Sequence, residues 1–117
     1  MKFAVSSYSL SSLVSKGEAT EKELISIAKE LGFDGIEFAE IHTPDGMSKA
    51  DYAKELKEEC EKVGIACVQY SVGADFIYGS NGDLEKEIER LKGEVDIAAA
   101  LGVKELILLN ILQIILI

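Results

Sequence analysis

The chain has no tryptophan, one proline, one histidine and two cysteines in 117 residues. Each scarcity excludes something. The lone histidine, His42, has no spaced partner for a histidine-based metal site. Cys60 and Cys67 do not form a metal-type pair either. Cys60 falls at an inward helical position and Cys67 in a strand, so two buried free thiols in a reducing compartment are expected. A disulfide between them is the alternative. There is no run of about 18 or more purely apolar residues, so no membrane-spanning helix is expected. Met1 to Ser15 holds only the short apolar run Phe3-Ala4-Val5, too little for a secretory signal. A cytoplasmic location is the default. Cations are scarce beside anions: 12 Lys and Arg against 21 Asp and Glu give a net charge of −9. Such a chain repels phosphate backbones and anionic lipid, which disfavours nucleic acid and membrane surfaces as partners. A sugar phosphate would need a local cationic or amide-rich site, or a metal ion.

Apolar residues are plentiful, at 48% of the chain, enough for one sizeable core. The length suits a single domain. The most informative stretch is A-K-E-L-G-F-D-G-I-E-F, Ala28 to Phe38. It reads as the last turn of a helix, a glycine stop at Gly32, a bend, and a strand carrying Glu37. The same joint recurs at Val63-Gly64-Ile65 and Leu101-Gly102-Val103. A helix-to-strand joint repeated at this spacing is βα architecture.

In chain order, Lys2 to Tyr8 reads as the first strand and Ser9 to Ala19 as a loop. Thr20-Glu21-Lys22-Glu23 is a capping box that opens a helix with Leu24, Ile27, Ala28 and Leu31 on its apolar face. Gly35 to Ile41 is the second strand. His42 to Met47 is a loop with Pro44 and Asp45-Gly46 as turn punctuation. Ser48 to Val63 is the second helix, buried along Tyr52, Ala53, Leu56, Cys60 and Val63. Ile65 to Val72 is the third strand, followed by a loop to Gly82. Asp83 closes an N-cap before the third helix, whose apolar stripe is Leu84, Ile88, Leu91, Val95, Ala98 and Leu101. Gly93 within it costs about 1 kcal/mol relative to alanine, so a close contact or a kink is expected there. Lys104 to Asn110 is the fourth strand. The Glu and Lys runs of the helices read as solvated faces.

Three short crossovers in succession require a parallel sheet. Either an open doubly wound sheet or part of a (βα)8 barrel fits. Doubly wound strands are covered on both faces. Here Ile36 and Phe38 oppose Glu37 and Ala39. Phe3 and Val5 oppose Ala4, Ser6 and Tyr8. Ala66, Val68 and Tyr70 oppose Cys67, Gln69 and Ser71. One greasy and one small or polar face per strand favours the barrel. The expected fold is therefore α/β, the N-terminal half of a (β/α)8 TIM barrel, with four parallel strands alternating with three helices over residues 1–110. An apolar tail, 111–117, is expected to lie outside the fold.

The stretches K-F-A-V-S-S-Y, A-K-E-L-G-F-D-G-I-E-F, E-K-V-G-I-A-C-V-Q-Y-S-V-G-A-D-F and L-E-K-E-I-E-R-L-K-G-E-V-D-I-A-A-A-L-G-V-K together resemble the sugar phosphate isomerase/epimerase family of xylose isomerase-like TIM barrels. The resemblance implies a metal-assisted proton transfer beside a sugar carbonyl. It implies a divalent ion, Mn2+, Mg2+ or Zn2+, held by carboxylates and a histidine on later strands. No residue of this chain matches those ligands, so no metal is expected for the chain alone. The implied partner is a small sugar or sugar phosphate. Catalytic residues are left open. Glu37, His42, Tyr8, Ser6 and Gln69 are the candidate substrate contacts, because they fall at strand ends on the polar face or just beyond it. Asp75 and Phe76 are candidates for a wall of the site, and Asn110 is the matching position on the fourth strand. Exposed sheet edges and the apolar tail predict self-association. A half-barrel association module and a non-catalytic ligand-binding α/β domain are the alternative readings.

Overall fold

The computed structural model describes residues 1–109. Four strands form one parallel sheet: β1 (Ala4–Ser6), β2 (Gly35–Ala39), β3 (Ala66–Gly73) and β4 (Leu106–Leu109). Their order in space is their order in the chain, β1-β2-β3-β4. A doubly wound sheet must reverse its strand order at a switch point. This sheet never reverses, so its right-handed crossovers place every helix on one side. That is the wall of a barrel.

Four α-helices accompany it: α1 (Ser11–Ser15), α2 (Glu23–Glu30), α3 (Lys49–Val63) and α4 (Leu84–Leu101). A 3-10 turn at Ser7–Leu10 replaces the last two residues of the expected first strand and, with the short α1, occupies part of the stretch expected to be loop. The three long helices each end in the same way. Gly32, Gly64 and Gly102 have φ of 92°, 83° and 76°. The residue after each glycine donates its N–H five residues back: Phe33 to Ala28, Ile65 to Cys60, Val103 to Ala98. Only glycine adopts this left-handed turn without steric cost, so the recurring glycine sets the recurring joint. The start of α2 is the expected capping box. Glu23 N–H donates to Thr20 Oγ1 at 3.2 Å, and Thr20 N–H donates to Glu23 Oε1 at 3.1 Å.

The core lies between sheet and helices. Ile36, Phe38, Tyr70 and Val72 of the sheet meet Leu24, Ile25, Ala28, Ala53, Leu56 and Leu101, all nearly free of solvent. Two helical stripes differ from expectation. In α2, Ile25 is buried and Leu31 is exposed. In α4, Leu91, Ala98 and Leu101 are buried, but Leu84, Ile88 and Val95 are exposed. Glu87 and Glu94 turn inward in their place, at 2% and 7% exposure. They correct the reading of all helical carboxylates as solvated. Both are paired. Glu87 binds Arg90, Ser80 Oγ and the Asp75 N–H. Glu94 binds Lys49 and Tyr70. A Cβ at Gly93 would meet nothing within 4 Å, so no close contact explains that glycine.

The third strand also departs from simple alternation. Ile36 pairs with Cys67, but Glu37 pairs with Gln69. Val68 is the extra residue of a β-bulge. The bulge turns Tyr70 toward the helices, where it is fully buried, and brings Val68 onto the face of Gly35 and Ala4. Cys67 faces the helices beside Cys60, and both thiols are free.

Candidate substrate site

Ser6, Glu37 and Gln69 stand side by side across β1, β2 and β3. Parallel partners share a face, so the three form one polar row on the side of the sheet away from the helices. Glu37 is half-buried, and its Oε1 accepts a 2.9 Å hydrogen bond from Ser71 Oγ. Ser71 is the next residue of β3 on that face. Ser6 Oγ accepts the Tyr8 N–H at 3.2 Å and caps the turn that follows. Tyr8 itself is not on the inward face of β1. It sits in the 3-10 turn and is 77% exposed. The strand stops at Ser6 because the serine caps a turn there instead of extending the ladder.

A second group gathers at the C-terminal ends of β1 and β2. A cavity of about 280 Å³ is lined by Ser7, Tyr8, Ser11, Glu21, Ala39 and His42, with Val14, Ser15 and Leu24 completing the wall. The buried Ser7 ties β1 to β2, its Oγ accepting the Ala39 N–H at 3.0 Å. Glu21 holds His42 at two points. Its Oε1 accepts the His42 backbone N–H at 2.9 Å, and its Oε2 lies 2.9 Å from Nδ1. The Glu21 side chain is 10% exposed and that of His42 is 80% exposed. Tyr52 lies behind them. Burial, then the charge of Glu21 and a hydrogen bond to it, push its phenol well above the usual tyrosine range.

The chain between β2 and His42 is constrained. Glu40 has φ of 61°, a left-handed conformation that costs a non-glycine residue about 1–2 kcal/mol. It is held by both ends: its N–H donates to Ser71 O, and its Oε1 accepts the Gly73 N–H, each at 2.8 Å. This kink carries the chain off the sheet and delivers His42 to the cavity.

Asp75 and Phe76 lie elsewhere. Asp75 Oδ1 accepts the N–H groups of Ile77 and Tyr78, which closes the loop after β3. Phe76 lines an apolar groove with Ile88, Leu91, Val95, Leu106 and Leu108 on the outer side of β4. Asn110 lies outside the described residues. Glu21, Ser7 and Glu40 were not singled out by the sequence. Glu21 is hidden within a capping box, and its contact with His42 crosses 21 positions that no periodicity links.

Among the described residues, no three or more His, Cys, Asp and Glu side chains are placed to hold a metal ion. The described residues therefore offer no ligand set for a divalent ion. No helix among them is long and apolar enough to cross a membrane.

A search of curated protein sequences finds no match to the chain. Among solved structures, it is similar to a xylose isomerase-like TIM barrel/4-hydroxyphenylpyruvate dioxygenase fusion protein, with a TM-score of 0.67 and 21% identity. The similarity covers 92% of this chain and 16% of that one, and it concerns the fold. The family model for xylose isomerase-like TIM barrels matches residues 25–112, well over half of the sequence. By that match, and by a sheet that winds in one direction with its helices on one side, the chain belongs to the xylose isomerase-like TIM barrel family.

Proposed function

We propose that this chain provides the substrate-binding wall of a sugar isomerase or epimerase, one that moves a proton between carbons beside a sugar carbonyl. In TIM barrels the substrate sits at the C-terminal ends of the strands. The carrying observation is the cavity at that end of β1 and β2, where Ser7, Tyr8, Ser11 and Ser15 are set in a largely apolar wall with His42 at its rim. Its volume of about 280 Å³ accommodates a monosaccharide. The row Ser6-Glu37-Gln69 lies on the adjoining polar face. Glu37 is its one carboxylate, and as a hydrogen-bond acceptor it suits a sugar hydroxyl. In this reading the described residues bind and orient the sugar. A divalent ion and the carboxylates that exchange the proton belong to other parts of such a barrel.

The test is titration of the 15N-labelled chain with D-fructose and D-xylulose and with their phosphates. Saturable shifts should appear around Ser7, Ala39 and His42. Glu37→Gln and His42→Ala should each weaken binding roughly 2- to 10-fold, the worth of one hydrogen bond. No saturable shift with any of these sugars would overturn the reading.

Self-association accompanies it. β1 and β4 each have one edge without a strand partner among the described residues, and Ile107, Leu108 and Leu109 are exposed. Open edges beside apolar side chains are a template for a second copy. Light scattering over a concentration series should show mass rising above 12.7 kDa. A constant monomer mass would remove this part of the proposal.

A further inference from the structure

The structure assigns Glu21 as a positioning residue that holds His42 in a single tautomer, so that the cavity presents a hydrogen-bond acceptor and reads uncharged sugar hydroxyls in preference to a phosphate. An ionised carboxylate only accepts hydrogen bonds. Glu21 Oε2 lies 2.9 Å from His42 Nδ1, so in the neutral ring the proton sits on Nδ1. The other nitrogen, Nε2, then carries a lone pair. No described residue hydrogen-bonds to Nε2. A free histidine prefers the opposite tautomer, so the carboxylate imposes this one.

The clamp is rigid because it has two teeth. The same carboxylate takes the His42 backbone N–H at 2.9 Å, which fixes where the ring is anchored as well as how it is protonated. Glu21 is itself nearly buried and stands just ahead of α2, behind the capping box of Thr20 and Glu23. His42 is exposed and follows the strained Glu40. A fixed acceptor at the rim of a serine- and tyrosine-lined cavity is built for a hydroxyl donor.

The charge of the wall points the same way. No lysine or arginine lines the cavity, and Glu21 is its one ionic side chain when His42 is neutral. A phosphate placed there would face a carboxylate and a lone pair, with no cation to offset either. The uncharged part of a sugar meets hydroxyls and an acceptor. The preference for hydroxyls rests on the cavity being the sugar site proposed above. The tautomer does not.

The sequence contains one histidine, so long-range 1H–15N correlation of the full 117-residue chain reports a single imidazole. In alkaline solution, where the ring is neutral, the spectrum should show Nδ1 protonated and Nε2 bare. Glu21→Ala should move the ring toward the Nε2–H form. Glu21→Gln offers one acceptor oxygen to two donors; with that oxygen on the His42 backbone N–H, its amide group donates to Nδ1, so this ring too should move toward the Nε2–H form. Backbone spectra of both variants establish that they are folded. An Nε2–H ring in the unmodified chain, or an unchanged tautomer in folded Glu21→Ala, overturns the assignment. D-Fructose and D-fructose 6-phosphate separate the two claims. The free sugar should perturb Nε2, and Glu21→Ala should weaken it roughly fivefold. A phosphate ester that binds more than about tenfold tighter at His42 refutes the hydroxyl preference. If neither sugar binds, the proposed function fails while the tautomer result still decides the role of Glu21.

Discussion

Glu94 offers the sharpest test of the packing. It lies on α4 with 7% of its surface exposed and accepts two 2.6 Å hydrogen bonds, from Lys49 Nζ and from Tyr70 Oη. The two donors are not equivalent. The Lys49 side chain is 32% exposed and can turn to water if Glu94 is removed. Tyr70 is fully buried and cannot. Its phenol is pushed above the usual range by burial first and by the Glu94 hydrogen bond second. Glu94→Ala would therefore strand a buried hydroxyl, at about 1–3 kcal/mol. It would also empty the space of one methylene and the carboxylate, a cavity cost of about 1–2 kcal/mol. Relief of the carboxylate's desolvation offsets part of this, which leaves a loss of about 3 kcal/mol. Tyr70→Phe removes the donor and its partner bond together and should cost about 1.5 kcal/mol. In urea, with a slope of about 1.5 kcal/mol per molar, Glu94→Ala should lower the midpoint by about 2 M. The double variant should fall short of the sum of the singles by about 1 kcal/mol, since either change alone breaks the same bond. Additive losses, or a Glu94→Ala midpoint within about 0.3 M of the parent, would refute this account of the α3–α4–β3 junction.

Three further outcomes follow from single contacts. Hydrogen bonds from Arg90 and from the Asp75 N–H hold Glu87 at about 2, below the ordinary carboxyl value of 4.5. Its contribution is complete above 4.5 and disappears as the pH falls through about 2, so acid unfolding should begin in that window and flatten in Glu87→Gln. At Gly35 a Cβ would sit 2.8 Å from Val68 Cγ1 and 3.3 Å from the Ala66 carbonyl. Gly35→Ala should cost about 1–2 kcal/mol and lower the melting temperature by about 5–10 °C; an unchanged melt would show that the bulge at Val68 gives way freely. A hydrogen bond with Cys60 holds the Cys67 thiol below the usual range, while that bond first and burial second push Cys60 up. Iodoacetamide should therefore alkylate Cys67 first, as read by intact mass and peptide mapping, and a Cys60-first pattern would contradict the pairing.

The repeated joint was legible because its cause is local. A left-handed residue after a helix needs glycine, and Gly32, Gly64 and Gly102 are visible without any knowledge of neighbours. The polar row was legible for a related reason. Alternation along β1 and β2 is undisturbed, so Ser6 and Glu37 could be placed on one face by counting. Counting failed at Val68, where the extra residue leaves Val68 on the polar face and Cys67 on the helix face, the reverse of the expectation, while Gln69, Tyr70 and Ser71 fall where alternation puts them. It also failed at Tyr8, where the hydroxyl of Ser6 ended the strand two residues early. The His42–Glu21 contact was out of reach for another reason. It is made by tertiary folding between a helix entry and a strand exit, and each partner alone has an ordinary local explanation.

The exposed stripe of α4 follows from the same limits. Leu84, Ile88 and Val95 repeat at helical spacing as regularly as Leu91, Ala98 and Leu101 do. Periodicity registers that a face is apolar, but not which neighbour the face meets. In the structure α4 has two apolar flanks. One packs against α3 and β3. The other, through Ile88 and Val95, forms a groove with Leu106 and Leu108 of β4. A helix in the outer ring of a barrel lies between two such neighbours, so a wide apolar face is what its position requires. The inward carboxylates fit the same geometry. With one flank packed on α3 and β3 and the other lining this groove, the central line of α4 toward the sheet carries Glu87 and Glu94, each a fastening rather than a surface charge. Glu87 pins the loop after β3, and Glu94 pins α3 to β3. The burial of these two acids on the face with Leu91 and Ala98 is thus a consequence of ring position that a single stripe of hydrophobic residues could not convey.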